Sequence, residues 1–114
     1  MGEATSSIEK IGSAVVARPV MKMMDDEGLK AVIKQIDDQV AADPAITMVI
    51  LDLSQVSFIP SMALGLLVDI NKRCKARQQE LKIAGLKPSL RQVFSITRLD
   101  RIFQFVESVE KALG

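Results

Sequence analysis

Histidine, tyrosine and tryptophan are absent from this chain of 114 residues, and cysteine occurs once. The first absence removes the commonest general base near neutral pH and the commonest metal ligand. A lone Cys74 without a histidine cannot form an internal disulfide, a Cys-His nucleophile or a zinc site. Four phenylalanines are the whole aromatic complement, which leaves little to stack on exposed bases. Neither sign of charge predominates, because 15 Lys+Arg stand against 14 Asp+Glu. The basic excess that drives binding to a phosphate backbone is missing, and nucleic acid is not expected as a partner. Apolar runs are short: Met48–Leu51 and Leu66–Val68 fall far below the roughly 20 residues that span a bilayer, so no membrane span is expected. No G-x-x-x-x-G-K-[ST] or G-x-G-x-x-G string offers a phosphate cradle. The expectation is a protein that is not an enzyme and carries no cofactor and no metal. Met1–Lys10 holds Glu3 and Glu9 and no apolar stretch, unlike a secretory leader or an Arg-rich transit peptide, which points to a cytoplasmic location.

What is present is a globular composition, 48% hydrophobic and 25% charged, enough for one core across residues 1–114. Ile8–Ile11 and Ala14–Met21 flank Gly12-Ser13 and read as a hairpin or a bent entry strand. Leu29, Val32, Ile33, Ile36 and Val40 form one helical stripe, with Asp25 and Asp26 at its start and Pro44 beyond its end. Ile46–Leu53 is aliphatic on both faces and predicts a central strand covered on each side. A second stripe of Ala63, Leu66, Leu67, Ile70 and Cys74 predicts a helix that ends near Arg77. Leu81–Leu86 reads as a strand, and Pro88 suits the first turn of a helix that buries Leu90, Val93 and Phe94. Phe103–Val106 reads as a last strand, and Ser108 as the cap of a terminal helix through Leu113. Strands alternating with helices predict an α/β sandwich with a central, mostly parallel sheet of four to five strands and about four helices.

Several side chains carry competing readings. Asp52 at the carboxyl end of the central strand could serve a ligand site, but is better read as accepting from the N–H groups of Ser54 to Ser57. Asp25, Asp26 and Glu27 suit a helix N-terminus, and Asp37 and Asp38 a solvated helix side, rather than a metal. Lys72, Arg73, Lys75, Arg77, Arg91, Arg98 and Arg101 are read as a solvated basic face. Met21, Met23, Met24 and Met62 suit core filling or, if exposed, an adaptable contact for a partner. Cys74, on the inward stripe, is read as a small buried hydrophobe.

Two strings in register resemble the STAS family, the domain shared by sulfate transporters and anti-sigma factor antagonists. VILDLSQVSFIPSMALGLL (Val49–Leu67) is similar to the family's buried strand ending in Asp, its phenylalanine, and the Asp-Ser-Ser-Gly that opens a helix. LKIAGLKPSLRQVFSITRLDRIF (Leu81–Phe103) is similar to its strand, Gly-Leu turn, helix and Thr-x-Leu-Asp-x-Ile-Phe corner. The resemblance implies a single STAS-like domain that binds an anti-sigma factor acting as a serine protein kinase, as a monomer or weak homodimer. In that branch the first serine of Asp-Ser-Ser-Gly is phosphorylated, and Ser61 holds that position. Partner contacts are expected from Pro60, Ser61, Met62 and Leu64 at the start of the second helix and from Met21 and Met23 near the second strand. The sequence departs from the pattern where Pro60 replaces Asp, Met62 the second Ser and Ala63 the Gly. Two alternatives follow: Ser61 as a plain helix cap, and an unphosphorylated STAS scaffold subunit of a stress-signalling or lipid-transport complex.

Overall fold

Residues 6–114 are described by a computed structural model, in which five strands form one sheet in the order β1-β2-β3-β4-β5. A polar edge strand, an apolar strand and a two-residue turn produce the first hairpin. β1 (Ser6–Ile11) pairs antiparallel with β2 (Ala14–Pro19), with Ile11 opposite Ala14. Gly12 makes the turn at φ +60, a conformation that costs glycine little. The other pairings are parallel, running from β2 to β3 (Met48–Asp52), then to β4 (Glu80–Ala84) and β5 (Gln104–Val106).

The crossover helices begin where the sequence supplies start signals. In α1 (Asp26–Ala42), Asp25 is the N-cap and its carboxylate accepts from Gly28 N–H at 2.9 Å. Asp26 and Glu27 lie against the positive end of the helix dipole. α2 (Ser61–Ala76) follows Pro60, and α3 (Pro88–Ile96) opens on a proline that has no N–H to leave unpaired. Ser108 caps α4 (Val109–Leu113) by accepting from Lys111 N–H at 3.2 Å. None of the described helices is long and apolar enough to cross a membrane.

The two faces of the sheet are covered unequally. Val49 and Leu51 of β3, Leu81 and Ile83 of β4 and Ala17 of β2 join the stripes of α1, α2 and α3 in the main core. Ile50, Val16, Ala14 and Ala84 point the other way and meet Val109 and Ala112 of α4, with Ile11, Met48 and Val106 packed at the margin. Burial of β3 on both faces, expected from its unbroken aliphatic run, follows from this arrangement. Phe94 anchors the α3 corner, with its ring edge-on to Phe103 at 5.7 Å and to Phe105 at 5.6 Å.

Tertiary packing shifts several expected boundaries. The strands expected to reach Met21, Leu53 and Leu86 stop at Pro19, Asp52 and Ala84. At the last of these, Gly85 turns the chain with φ +69. Leu99–Arg101 forms a 3-10 turn after Arg98, whose φ of +63 ends the α3 segment. The buried side of α2 is Ala63, Leu64, Leu67, Ile70, Asn71 and Cys74, so the helix is rotated towards Leu64 and Asn71 and leaves Leu66 half-buried. Part of the leader reading falls on residues 1–5, which lie outside the described residues.

The seven basic residues read as a solvated face are all exposed, and Asp37 is the departure from a merely solvated acidic side. Its two oxygens accept from Arg73 and from Arg77, each at 2.7 Å, and so tie α1 to α2. Arg73 also donates to Asp69 at 2.9 Å, and that hydrogen bond, reinforced by the charge of Asp37, raises its pKa. Asp38 remains exposed and pairs with Lys34. At the opposite end of α1, Asp43 pairs with Lys10 of β1 and accepts from Ala45 N–H. Those bonds hold its carboxyl below the usual range.

Cys74 is buried, and burial pushes its thiol up to about 11. Iodoacetamide at pH 8 is expected to leave the native protein unlabelled and to modify Cys74 only after urea unfolding, as followed by intact mass. Because the native thiol resists ionisation, its contribution to stability is present below the ordinary thiol pKa and is lost as pH rises towards about 11. Phe94→Ala removes a ring with no exposed surface and is expected to cost about 3–5 kcal/mol in urea unfolding.

Candidate functional site

The carboxyl end of β3 feeds a loop that the sequence marks with Asp52, Ser54 and Ser57 and closes with Pro60. Asp52 accepts from Ser54 N–H at 3.0 Å, a two-residue aspartate turn, and its other oxygen lies 3.4 Å from Arg18 Nε. The loop-holding role expected of Asp52 is thus confined to Ser54. Further along, Ser57 N–H and Phe58 N–H both donate to the carbonyl of Lys22, at 2.7 and 3.0 Å. Met24 N–H returns a 2.9 Å bond to the carbonyl of Phe58. These bonds zip the loop after β2 to the loop after β3 and make Met23 and Phe58 a parallel bridge pair. Lys87, just ahead of α3, donates to the Ser57 hydroxyl at 3.0 Å and ties a third loop to the same edge.

Pro60 sets the entry to α2. Its ring disfavours a helical conformation at the preceding residue, and Ile59 is buried as the anchor of the loop. The Pro60 carbonyl accepts from Ala63 N–H at 2.9 Å and closes the first turn. No side chain caps this helix, and its first turn contains no acidic residue. Ser61 is therefore the first helical residue and not the cap: the cap position belongs to Pro60, and the capping role expected as an alternative for Ser61 is overturned. Ser61 is exposed, and its hydroxyl has no hydrogen-bond partner among the described residues.

Exposed apolar side chains accompany the serine on this edge. Met62 is 81% exposed, Phe58 54% and Met23 50%. The expected contact residues divide in a definite way. Pro60 is half-buried at the junction, Ser61 and Met62 face outward, and Met23 joins them through its pairing with Phe58. Met21 is half-buried over Gly28 at the start of α1, and Met24 lies wholly in the core, as core filling requires. Leu64 is 5% exposed and belongs to the main core, so the rotation of α2 removes it from the contact surface. Phe58 was not among the expected contacts; the sequence signals for it are its match to the family's phenylalanine and its position as an aromatic residue in a loop away from any helical or strand period.

The loop edge depends on close approach at Gly85. A Cβ there would lie 3.0 Å from Ser54 Cβ and 3.3 Å from an Asp52 oxygen, on a backbone whose φ of +69 disfavours other residues. Gly85→Ala is expected to destabilise the fold by about 1–3 kcal/mol, measured by urea unfolding. Met62→Ser, on an open surface, is expected to change stability by less than about 0.5 kcal/mol in the same assay.

Comparison with known proteins agrees with this architecture. The family model described as the STAS domain matches residues 6–112. BtrV of Bordetella bronchiseptica, a candidate anti-sigma factor antagonist, is 33% identical over 81 residues, which cover 69% of this chain and 70% of that protein. The anti-sigma-B factor antagonist of Listeria monocytogenes is 38% identical over 60 residues, and the matched segment spans about half, 52%, of its length. The solved structure of the unphosphorylated anti-sigma factor antagonist SpoIIAA superimposes with a TM-score of 0.68 at 18% identity, covering 95% of this chain and 93% of that one. Its phosphorylated form, from Bacillus, gives 0.69 at 20% identity, covering 95% and 96%. The extent of the family match, together with the sheet order and the loop-to-α2 junction, shows that this chain belongs to the STAS domain family.

Proposed function

We propose that this protein is an anti-sigma factor antagonist whose docking surface is the edge formed by Met23, Phe58, Ser61 and Met62, and that phosphorylation of Ser61 switches it off. The partner on this reading is a serine-kinase-type anti-sigma factor, and the site of action is the cytoplasm. The whole of residues 1–114 acts as one domain. The observation that carries the reading is Ser61 itself: an exposed hydroxyl on the first turn of α2, flanked by exposed apolar side chains. Two relatives named as antagonists and a structural neighbour solved in a phosphorylated form support it.

The chemistry is simple. Free N–H groups and the helix dipole favour negative charge at the start of α2, where no side chain caps the turn. A phosphate on Ser61 is therefore tolerated by the fold and changes chiefly the surface. About 1.5 to 2 negative charges placed among Met62, Phe58 and Met23 would have to be desolvated on docking, which a partner shaped for an apolar edge rejects.

One observation favours a second reading, that of an unmodified scaffold subunit. Pro60 occupies the position of the family's aspartate, and the first turn of α2 offers no carboxylate for a kinase to grip. Incubation with the cognate kinase and ATP distinguishes the two. The switch predicts one phosphate on the intact mass, absent from Ser61→Ala. It also predicts that Ser61→Asp weakens binding of the purified partner at least tenfold, about 1.4 kcal/mol. An unmodified wild-type mass, with partner binding indifferent to Ser61→Asp, would establish the scaffold instead.

A further inference from the structure

The three helices of the main layer all begin at the edge that carries Ser61, and the sheet sets their order: α1 starts after β2, α2 after β3 and α3 after β4. Charge changes along that line. α1 begins with Asp25, Asp26 and Glu27, with Lys22 as the cation ahead of them. α2 has no acidic residue in its first turn and is bordered by the exposed Met23, Phe58 and Met62. α3 has none either, and instead Lys87 precedes it and Arg91 is its fourth residue. Asp25 and Glu27 line the hollow beside Met21 and Met23, and Lys87 and Arg91 line the hollow at the head of α3.

Little of this flanking charge is neutralised within the chain. Asp26, Glu27, Lys87 and Arg91 form no ion pair among the described residues. Lys87 donates to the Ser57 hydroxyl, and Arg91 lies over the ring of Phe105 at 4.3 Å. Glu107 also lines the hollow at α3, but it pairs with Lys111. The helix dipole accounts for acids at the head of α1 and opposes cations at the head of α3. The edge therefore runs from negative, through apolar, to positive.

We infer that this edge binds a second copy of the chain, through a symmetric interface that covers Ser61. A two-fold axis laid across the edge, along its apolar strip, turns one copy end for end against the other. The head of α1 on each copy then faces the head of α3 on its neighbour, while Met23, Phe58 and Met62 meet their own counterparts. Charge of one sign on both flanks would repel in this arrangement, whereas opposite signs on either side of an apolar strip make the surface complementary to itself. Three exposed apolar side chains form a small contact, which places the dimer among weak, reversible ones. A second copy and another protein would compete for the same surface; that competition rests on the function proposed above, and the dimer does not.

Sedimentation equilibrium of the full chain from about 10 µM to about 1 mM, at low salt, is expected to show a reversible rise towards twice the monomer mass. Added salt is expected to reduce it. Glu27 and Arg91 are both exposed, and Glu27→Lys or Arg91→Glu sets like charges against each other at both ends of the interface. Each single variant is expected to weaken dimerisation about tenfold. The double variant Glu27→Lys/Arg91→Glu restores opposite charges and is expected to recover it. Dilution of the wild-type chain is expected to move the ¹H–¹⁵N resonances of Met23, Phe58 and Met62. A monomer at every concentration would overturn the inference and leave the edge to a different protein. So would a double variant no stronger than the single ones, or dilution shifts confined to β1 at the margin of the sheet. No kinase enters these measurements, so their failure is distinct from a failure of Ser61 to be phosphorylated.

Discussion

Everything in this molecule is arranged around a strand that cannot face water on either side. Val49, Ile50 and Leu51 have no exposed surface, so β3 must be sandwiched between helices and flanked by parallel partners. Parallel neighbours require crossovers, and crossovers place the loops that follow β2, β3 and β4 at the same edge of the sheet. The chain then fastens those loops to each other through the Lys22 carbonyl, the Phe58 carbonyl and the Lys87–Ser57 contact. Local residues make the edge, but the buried strand decides where it is.

That edge departs from the thrift of the rest of the surface. Three of the four phenylalanines cluster at the α3 corner, whereas Phe58 stands half in solvent beside Met23 and Met62. Helices α1 and α4 have side-chain caps, and α2 and α3, which start at the same edge, have none. An uncapped, apolar-flanked helix start is a modest cost in stability, in keeping with the docking edge proposed above. Near the opposite end of α2 one polar atom, Gln79 Oε1, is buried without a partner among the described residues.

The elements that the sequence made legible are those with a strong local signal. Asp25, Ser108 and Pro88 mark helix starts by the chemistry of their own side chains, and the structure uses each in that way. The mostly parallel sheet followed from the alternation of aliphatic strands with helical stripes. Strand ends were less legible, because Gly85 and Asp52 end their strands through contacts with each other's loops. Ser61 illustrates the same limit: its chemistry permits capping, but the helix begins one residue earlier in role, at Pro60.

The amino-acid order alone determined the architecture and the position of the serine at the head of the second helix, since periodicity, caps and prolines act over a few residues. Only the folded chain decided which side of α2 faces inward, and so which of Met62 and Leu64 a partner could touch. It likewise decided that Asp37 bridges two arginines 36 and 40 residues away, and that Phe58 meets Met23. Such pairings join residues that are distant along the chain, and their geometry is fixed by close packing against the whole core rather than by any local preference.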